Sequence, residues 1–348
     1  MSSLADWSCF VGFDYHDCFV QVCVMDTSGV VLGNRRIANS LVDVVDYVDN
    51  VRDGRCIMGA AIESCCGASQ FAEALQDQYE WTVKLGHAGI CSKMKQNPDK
   101  TDFSDAELLA DLCRVGYLPH VWLPPKEIRD LRRLGRFRQQ LVDQRRNLKL
   151  RIRAMLREER IEVPQEAGNV WTKGWLKWLK EEARLPEHSR WVMDNHLSDL
   201  ERLLAKVREV EKRMEEATCD DPVVQRLRAC KGVGVVTAVV MRAEIGCFQR
   251  FACGKQLARY CAVTPKNASS GKRMADAGLV KAGSLALRTM LIEAAHRLAR
   301  YHPEWKAMKE RLVERGKPAS VAVAAVANRW IRKLYWDMQA IEDTQVAA

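Results

Sequence analysis

The N-terminal part of the chain is organised around the run Cys9-Phe10-Val11-Gly12-Phe13-Asp14, an apolar stretch that ends in a carboxylate. A second run of the same kind follows, Ile57-Met58-Gly59-Ala60-Ala61-Ile62-Glu63. Short apolar runs of this length are typical of strands buried inside a sheet. We therefore predict two central strands, with Asp14 and Glu63 at their ends.

The residues around these runs predict the rest of an α/β domain with a mixed sheet. Apolar and polar residues alternate in two stretches on either side of a turn at residues 26–29, which predicts a hairpin. Helical spacing of apolar residues marks two further segments. The predicted elements, in chain order, are strands at residues 9–13, 19–25 and 30–37, a helix at 41–48, a strand at 57–62, a helix at 71–75 and a strand at 81–85.

Two further acids, Asp102 and Asp105, lie three residues apart in a segment with a helical pattern, so they share one helix face. With Asp14 and Glu63 they form a set of four carboxylates that could bind Mg²⁺, because hard cations prefer oxygen ligands. Paired ions about 3.5 to 4 Å apart stabilise the attacking and leaving oxygens of a phosphodiester. Aspartates often cap strands and helices, and Asp102 or Asp105 alone would more often be a cap than a ligand, but the four acids together with the strand order favour the metal site.

Length and composition limit the class of protein. A chain of 348 residues is long enough for two or three domains. It has no apolar run of membrane-spanning length and no basic, then hydrophobic, N-terminal segment, so we expect a soluble cytoplasmic protein. The 13 cysteines include no Cys-x-x-Cys pair, and we expect neither disulfides nor zinc.

Charge is distributed unevenly along the chain. Residues 1–125 carry 9 basic and 17 acidic side chains, whereas residues 126–160 carry 13 basic and 5 acidic ones. The remaining residues, 161–348, carry 32 basic and 23 acidic side chains. Because the local acids are too few to pair with the basic segment, we predict that it contacts a nucleic-acid backbone, although a solvated helix face is the alternative. The candidate contacts are Arg132, Arg133, Arg136, Arg145, Arg146, Lys149 and Arg153.

The basic segment also has a helical apolar repeat, and a second repeat occupies residues 193–214. We predict an antiparallel coiled-coil arm, formed within the chain or with a second copy. Between the repeats, Trp171, Trp175 and Trp178 alternate with lysines. These indoles could stack on unpaired bases or pack against the arm.

The C-terminal part contains two further candidate sites. Gly232 and Gly234, next to Lys231, lie between two helical patterns, as in helix-hairpin-helix elements whose backbone amides approach a phosphate. A polar, basic loop follows Thr264-Pro265 and contains Ser270-Gly271. Ser270 is a plausible nucleophile there, although serine and glycine are also ordinary turn residues. The basic residues of this loop are Lys266, Lys272 and Arg273.

Taken together, these motifs resemble a known family over nearly the full length. The matching segments are Gly12-Phe13-Asp14, Ile62-Glu63-Ser64, Lys100-Thr101-Asp102-Phe103-Ser104-Asp105-Ala106, Gly232-Val233-Gly234, and Thr264-Pro265 leading to Ser270-Gly271. They are similar to the DEDD transposases of bacterial insertion sequences related to the Piv DNA invertase. The Lys-Thr-Asp-x-x-Asp-Ala run is the most specific of them.

The resemblance implies a RuvC-like (RNase H-like) catalytic domain at residues 1–125, a coiled-coil arm at 126–220 and a mainly helical transposase domain at 221–348. It implies a recombinase guided by a structured bridge RNA that pairs with donor and target DNA. Asp14, Glu63, Asp102 and Asp105 would bind Mg²⁺, and Ser270 would form a covalent phosphoserine link to DNA. The acids and the serine would come from different subunits of a dimer of dimers, acting at the bacterial nucleoid.

Two departures from the family pattern do not remove a reacting group. Phe13 stands where the family usually has isoleucine, and Cys65-Cys66-Gly67 replaces a threonine-glycine pair. Ser269 is a second serine beside the candidate nucleophile, but spacing and the following glycine favour Ser270. Two alternatives remain at this point: a hydrolytic RuvC-like Holliday-junction nuclease, and a non-catalytic nucleic-acid-binding scaffold.

Overall fold

The chain forms two compact units, Met1–Pro124 and Pro125–Ala348. The computed structural model describes residues 7–95, 101–267 and 276–346. Within these ranges, no helix combines the length and the apolar character that crossing a membrane requires. The predicted subdivision of the second unit at residue 220 stays a prediction.

The first unit is built on a six-stranded mixed sheet with the order β3-β2-β1-β4-β5-β6. β1 pairs antiparallel with β2 and parallel with β4, and β5 continues parallel to β4. The six strands are β1 Ser8–Tyr15, β2 Phe19–Asp26, β3 Val31–Ala38, β4 Cys56–Glu63, β5 Val83–Gly86 and β6 His120–Val121. The predicted α/β mixed sheet is therefore confirmed, and it is consistent with a RuvC-like domain. β5 begins two residues later than predicted, and the two-residue β6 was not predicted.

Helices cover both faces of this sheet. They are α1 Leu41–Arg52, α2 Ala68–Tyr79, α3 Ala88–Cys91 and α4 Asp102–Arg114, with a short 3₁₀ helix at Ser92–Met94. The Ser40 and Thr101 side chains accept backbone N–H groups at the starts of α1 and α4, as N-caps do. Val11 and Phe13 of β1 pack with α1 and α2, whereas α4 lies over the other face, against Ala61.

Phe13, which departs from the family pattern, is fully buried on the α2 side of the sheet. Its ring meets Phe71 edge-on at 5.5 Å and stacks with Trp81 at 6.3 Å between centroids. The larger ring is therefore accommodated by aromatic partners on the face opposite α4.

Gly12 allows α4 to lie directly on β1. A Cβ atom at this position would overlap the backbone carbonyl oxygen of Ala106 and press on the backbone nitrogen of Ala110. Since neither of these atoms can move without shifting the whole helix, the helix position depends on the missing side chain.

We therefore expect Gly12→Ala to lower the free energy of unfolding by about 3 kcal/mol, the cost of overpacking a rigid contact. Urea unfolding of the full chain measures it. The matched control is Gly135→Ala in the basic helix, where a Cβ atom would meet Val240 at an ordinary 3.8 Å. That control should be neutral or stabilising by about 0.5 to 1 kcal/mol. Equal stability of Gly12→Ala and the wild type would contradict this packing.

The second unit is mainly helical. Its helices are α5 Lys126–Glu158, α6 Lys173–Glu181, α7 Glu187–Glu216, α8 Pro222–Arg228, α9 Val235–Ile245, α10 Gly254–Tyr260, α11 Leu285–Tyr301, α12 Pro303–Glu314 and α13 Ala319–Val346, with a 3₁₀ helix at Gln165–Ala167. A two-stranded antiparallel ribbon is formed by β7 Pro265–Asn267 and β8 Asp276–Leu279.

The two long helices, α5 and α7, pack in opposite directions, as predicted. Arg138 in the first half of α5 pairs with Glu211 near the end of α7, and Ser189 at the start of α7 contacts Glu159 just after α5. Their apolar seam belongs to one core with the C-terminal helices. A separate coiled-coil arm is thus not established by these contacts and stays a prediction.

The burial of two tryptophans and the length of one helix decide two local predictions. Trp175 and Trp178 are 1% and 7% exposed, so they pack in the core and cannot stack on bases. Residues 248–262 have a helical pattern in the sequence, but only the shorter α10, Gly254–Tyr260, forms within them. α10 begins only after Cys253, because the backbone of Cys253 is extended (φ −164°, ψ 162°) and not helical.

Candidate active site

Three side chains converge at the end of β1. His16 Nε2 lies 3.2 Å from Asp14 Oδ2 and 3.5 Å from Asp102 Oδ1. One ligand atom from each of the three residues lies within 4.8 Å of the others, so together they could hold a metal ion. The predicted pairing of an acid on β1 with an acid on α4 is present.

Strand alternation explains why Asp14 faces α4. Gly12 and Asp14 are two residues apart, so they project to the same face of the sheet, and Gly12 lies against Ala106 of α4. Glu63 follows the same rule, two residues after Ala61, which packs with α4 residues. β1 and β4 pair in parallel with Phe13 opposite Ile62, so Asp14 and Glu63 follow side by side.

Glu63 and Asp105 lie beside this cluster. Among the described residues, neither belongs to the group whose ligand atoms all lie within 4.8 Å of one another. Asp105 lies one turn after Asp102 and is 4% exposed. Its carboxylate forms an ion pair with the Lys95 ammonium. The four acids are thus placed on one side of the sheet, but they are not gathered into a single coordination shell.

Burial raises the pKa of the Asp14 carboxyl above its ordinary value, and the neighbouring His16 opposes this shift. The negative charges of Asp105 and Asp102 raise that pKa further. A cation at this position would relieve the repulsion among the three carboxylates.

Basic side chains lie beside the acids, and sequence reasoning missed them. His16 stacks on Phe19 with 4.4 Å between ring centroids. The Arg36 guanidinium covers the same ring at 3.9 Å and donates to Asp102 Oδ2 at 2.9 Å. His16 had a usable signal, since a histidine two residues after a strand-ending aspartate faces the same side. The sequence contains no such signal for Arg36 or Lys95, because their pairing with Asp102 and Asp105 depends on how the chain folds.

Some of the candidate nucleic-acid contacts on α5 are engaged within the fold. Arg132 donates to the backbone carbonyl oxygens of Ala243 and Glu244 at the end of α9, at 2.6 and 3.0 Å. Arg136 pairs with the Glu244 carboxylate at 3.1 Å. These two arginines fasten α5 to α9, and burial lowers the pKa of Arg132 below its ordinary value.

The other candidates on α5 face solvent to differing degrees. Arg133 is exposed and lies 3.7 Å from Asp130, while the Lys149 ammonium covers the Trp171 ring at 4.6 Å. Arg146 and Arg153 are exposed and Arg145 is half-buried. Within the described ranges, these last three have no carboxylate within 4.0 Å.

The glycine turn predicted between two helices is confirmed, since α8 and α9 flank it. Gly232 adopts a positive φ of +104°, a region that favours glycine, and a Cβ there would lie 3.1 Å from Arg297 Cβ. Lys231 is exposed and covers the Tyr301 ring at 5.6 Å. The Lys231 carbonyl oxygen lies 2.9 Å from the His302 ring.

The candidate nucleophile falls outside the described residues. Ser270 lies there with Ser269, Gly271, Lys272 and Arg273, whereas Lys266 is exposed on β7. The flanking strands pair through Pro265 with Leu279 and Asn267 with Asp276.

Two family matches cover more than half of the chain. Residues 11–161 match the IS110-type DEDD family described as "Transposase". Residues 224–310 match the "Transposase IS116/IS110/IS902 family". The first match contains all four acids, and the second contains Gly232, Gly234 and Ser270.

Individual relatives agree with these matches. The chain is 25% identical over 291 residues, 84% of this chain and 78% of the relative, to a "Transposase for insertion sequence element IS1111A" of Coxiella burnetii. It is 26% identical over 285 residues to a "Probable family 20 transposase" of Pseudomonas aeruginosa, covering 79% of this chain and 82% of that protein. A "Putative transposase y4qE" of Sinorhizobium fredii is 31% identical over 227 residues, 62% of this chain and 54% of that protein.

The strand order, the acids beside α4 and the two matched segments agree with one another. The chain belongs to the IS110 family of DEDD insertion-sequence transposases.

Proposed function

We propose that this transposase is an RNA-guided, Mg²⁺-dependent recombinase that exchanges DNA strands through a covalent phosphoserine intermediate. The observation that supports the proposal best is the placement of Asp14, Asp102 and His16 within 4.8 Å at the end of β1, in a chain whose second family segment carries Ser270. Acids alone would serve a hydrolytic nuclease equally well. The serine loop is what favours recombination.

The donor set fits a hard divalent cation. Asp14, Glu63, Asp102 and Asp105 supply carboxylate oxygens, and burial of Asp105 limits competing water. We assign these four residues as the Mg²⁺ ligands and His16 as a fifth candidate. Asp14 and Asp102 are placed to share one ion, whereas Glu63 and Asp105 lie beside them and would have to move towards it. When bound, Mg²⁺ would polarise the scissile phosphate and offset developing charge.

Other residues of the chain would orient the carboxylates and attack the phosphate. Arg36 and Lys95 keep Asp102 and Asp105 oriented, since each donates to one of these carboxylates. Ser270 attacks phosphorus, so that the bond from Oγ to phosphorus forms as the bond to the leaving sugar oxygen breaks. One phosphodiester replaces another, and its bond energy remains available for strand exchange. The acids of one subunit act with Ser270 of another in a dimer of dimers.

The exposed face of α5 is the proposed contact for the phosphates of a guide RNA. Arg145, Arg146 and Arg153 represent this surface, because they have no carboxylate partner within the described part of the chain. Arg132 and Arg136 are left out of it, since the fold already uses them.

We expect RNA affinity to fall steeply with salt, because bound phosphates release counterions. Replacing Arg145, Arg146 and Arg153 by Gln should reduce the slope of log affinity against log salt by about 2 to 3, at roughly 0.7 to 0.9 per contact. Filter binding at several salt concentrations measures the slope.

The matched control removes three cations from α7 that are already paired: Arg202 with Asp199, Lys206 with Glu209 and Lys212 with Glu216. Gln at these positions should leave the slope near its wild-type value. A slope unchanged in the α5 variant would place the RNA on another surface.

The proposed function is tested by retargeting. The purified protein should carry a discrete RNA with two loops complementary to different DNAs, and strand exchange should require that RNA. Changing one RNA loop should move exchange to the correspondingly changed DNA and abolish it at the original site. Exchange at the original site without RNA, or with the altered loop, would refute the guided mechanism.

A further inference from the structure

A groove with a volume of about 580 Å³ lies between the start of α10 and the middle of α13. Its walls include Lys255 of α10 and Arg329, Arg332, Lys333 and Trp336 of α13. Gly254 allows the two helices to approach closely, because a Cβ atom at this position would lie only 2.9 Å from the Arg332 carbonyl oxygen. The groove is therefore built into the packing of two helices.

The four residues from α13 form one stripe. Positions 329, 332, 333 and 336 are spaced by three and four residues, so they share a helix face. The opposite face is buried, with Ala327, Ile331 and Leu334 at most 2% exposed. Trp336, by contrast, is 63% exposed. Packing in the hydrophobic core therefore does not explain why a tryptophan occupies position 336.

The charges of the groove are mostly uncompensated. Lys333 pairs with Glu304 at 3.1 Å, but both side chains are more than 60% exposed, and such a pair contributes little. No ion pair forms at Lys255, Arg329 or Arg332 with any residue that the structure describes. Three free cations beside an exposed indole favour an anionic, aromatic ligand.

Two neighbouring cavities share wall residues with the groove. Arg329 and Arg332 also line a cavity of about 710 Å³ bounded by Pro265 of β7 and Leu279 of β8, the strands that flank residues 268–275. Lys333 lines a third cavity together with Lys231, from the α8–α9 turn. Cationic residues thus occur in the walls of all three cavities, from the glycine turn to the strands that flank residues 268–275.

We propose that this groove binds a single-stranded segment of nucleic acid, with phosphates against Lys255, Arg329 and Arg332 and one unpaired base stacked on Trp336. A duplex fits less well, because its bases are already stacked on one another and cannot cover the indole. The proposal rests on the nucleic-acid handling that the proposed function requires, but on neither Ser270 nor the four acids.

The test is binding of the full-length protein to fluorescein-labelled 20-nucleotide oligothymidylate and oligouridylate, followed by anisotropy. Trp336→Ala should weaken binding of at least one oligonucleotide by about tenfold, since base stacking on an aromatic side chain has roughly that effect. Trp336→Phe should retain most of the affinity. Trp191→Ala is the matched control, because Trp191 is 68% exposed on α7, outside the groove. That control should bind as the wild type does.

The two oligonucleotides identify the source of the strand. A loss confined to oligothymidylate assigns the groove to DNA, and a loss confined to oligouridylate assigns it to RNA. Wild-type affinity of Trp336→Ala for both would overturn the proposal. So would a fall in the mass of the assembly, measured by light scattering, without a change in affinity, since Trp336 would then be a subunit contact.

A local readout separates this groove from the basic face of α5. Cys253 lies on the groove wall, and backbone N–H groups of Gln256 and Lys255 lower the pKa of its thiol. Iodoacetamide should therefore label it, and bound oligonucleotide should slow that labelling in the wild type but not in Arg329→Gln with Arg332→Gln. Cys56, exposed in the first unit, is the internal control. Equal labelling of Cys253 with and without oligonucleotide would also overturn the proposal.

These assays need no guide RNA, metal or reactive serine. A protein that makes no serine adduct can still show the Trp336 effect, and a protein with normal adduct chemistry can fail to show it. The two proposals therefore fail separately.

Discussion

Asp14→Asn should reduce strand exchange by a factor of about 10³, because the ligand loses its charge where Mg²⁺ contributes several kcal/mol to the transition state. Asparagine keeps the shape of the side chain, which is 15% exposed and lies 3.2 Å from His16. The assay is RNA-guided exchange between donor and target DNA at saturating Mg²⁺.

Folding should not account for this loss. Burial raises the pKa of Asp14 in the folded chain, so the fold favours the neutral carboxyl more than the unfolded chain does. Any charge penalty from Asp14 is therefore complete above the folded pKa, shrinks as the pH falls towards the unfolded pKa, and is absent below it. A neutral amide avoids that penalty, so the free energy of unfolding at pH 7 should be equal to or higher than that of the wild type.

The matched control is Asp111→Asn on α4. Asp111 is 43% exposed and pairs with Arg114 within the same helix, away from the cluster. Its variant should exchange strands at close to the wild-type rate. If Asp14→Asn exchanged strands as well as Asp111→Asn, Asp14 would not be a metal ligand, and the acids would be structural caps.

Ser270→Ala should abolish both strand exchange and the covalent protein–DNA adduct. Removal of a nucleophile leaves only binding and positioning, and a loss of at least about 10³ in rate is expected. The substitution changes no charge, so affinity for DNA should stay at the wild-type level. Denaturing gel electrophoresis of labelled DNA after quenching measures the adduct.

Ser269→Ala is the control for this substitution, since it removes the neighbouring hydroxyl. It should form adduct and exchange strands. The reverse pattern, with adduct in Ser270→Ala and none in Ser269→Ala, would move the nucleophile by one residue. Adduct in the double variant Ser269→Ala with Ser270→Ala would exclude both serines as the nucleophile.

The sheet and the placement of the acids followed from local patterns. Two apolar runs ending in Asp14 and Glu63 mark the central strands, and the period of two along each strand decides which face the acids share. The same parity puts Phe13 on the opposite face, where it is buried. These features were predictable because each depends on neighbours within a few residues.

Long-range partners were not predictable in this way. Charge counting treated the arginines of α5 alike, but Arg132 binds carbonyl oxygens 111 and 112 residues away, and Arg136 pairs with Glu244. Lys95 and Arg36 likewise meet Asp105 and Asp102 only when the sheet and α4 come together in the folded chain. The composition of a helix shows how many cations it carries, but not which of them the fold uses.

Mass spectrometry of the trapped adduct tests the central claim most directly. Protein, guide RNA and DNA react in H₂¹⁸O and are then quenched, the DNA is trimmed with nuclease in ordinary water, and the tryptic peptide of residues 267–272 is fragmented. We predict a nucleotide phosphate on Ser270 and no ¹⁸O in cleaved but unjoined DNA ends before the adduct is released. Unmodified Ser270 together with ¹⁸O in the phosphate of the cleaved DNA would show hydrolysis by water, and would contradict the serine recombinase mechanism.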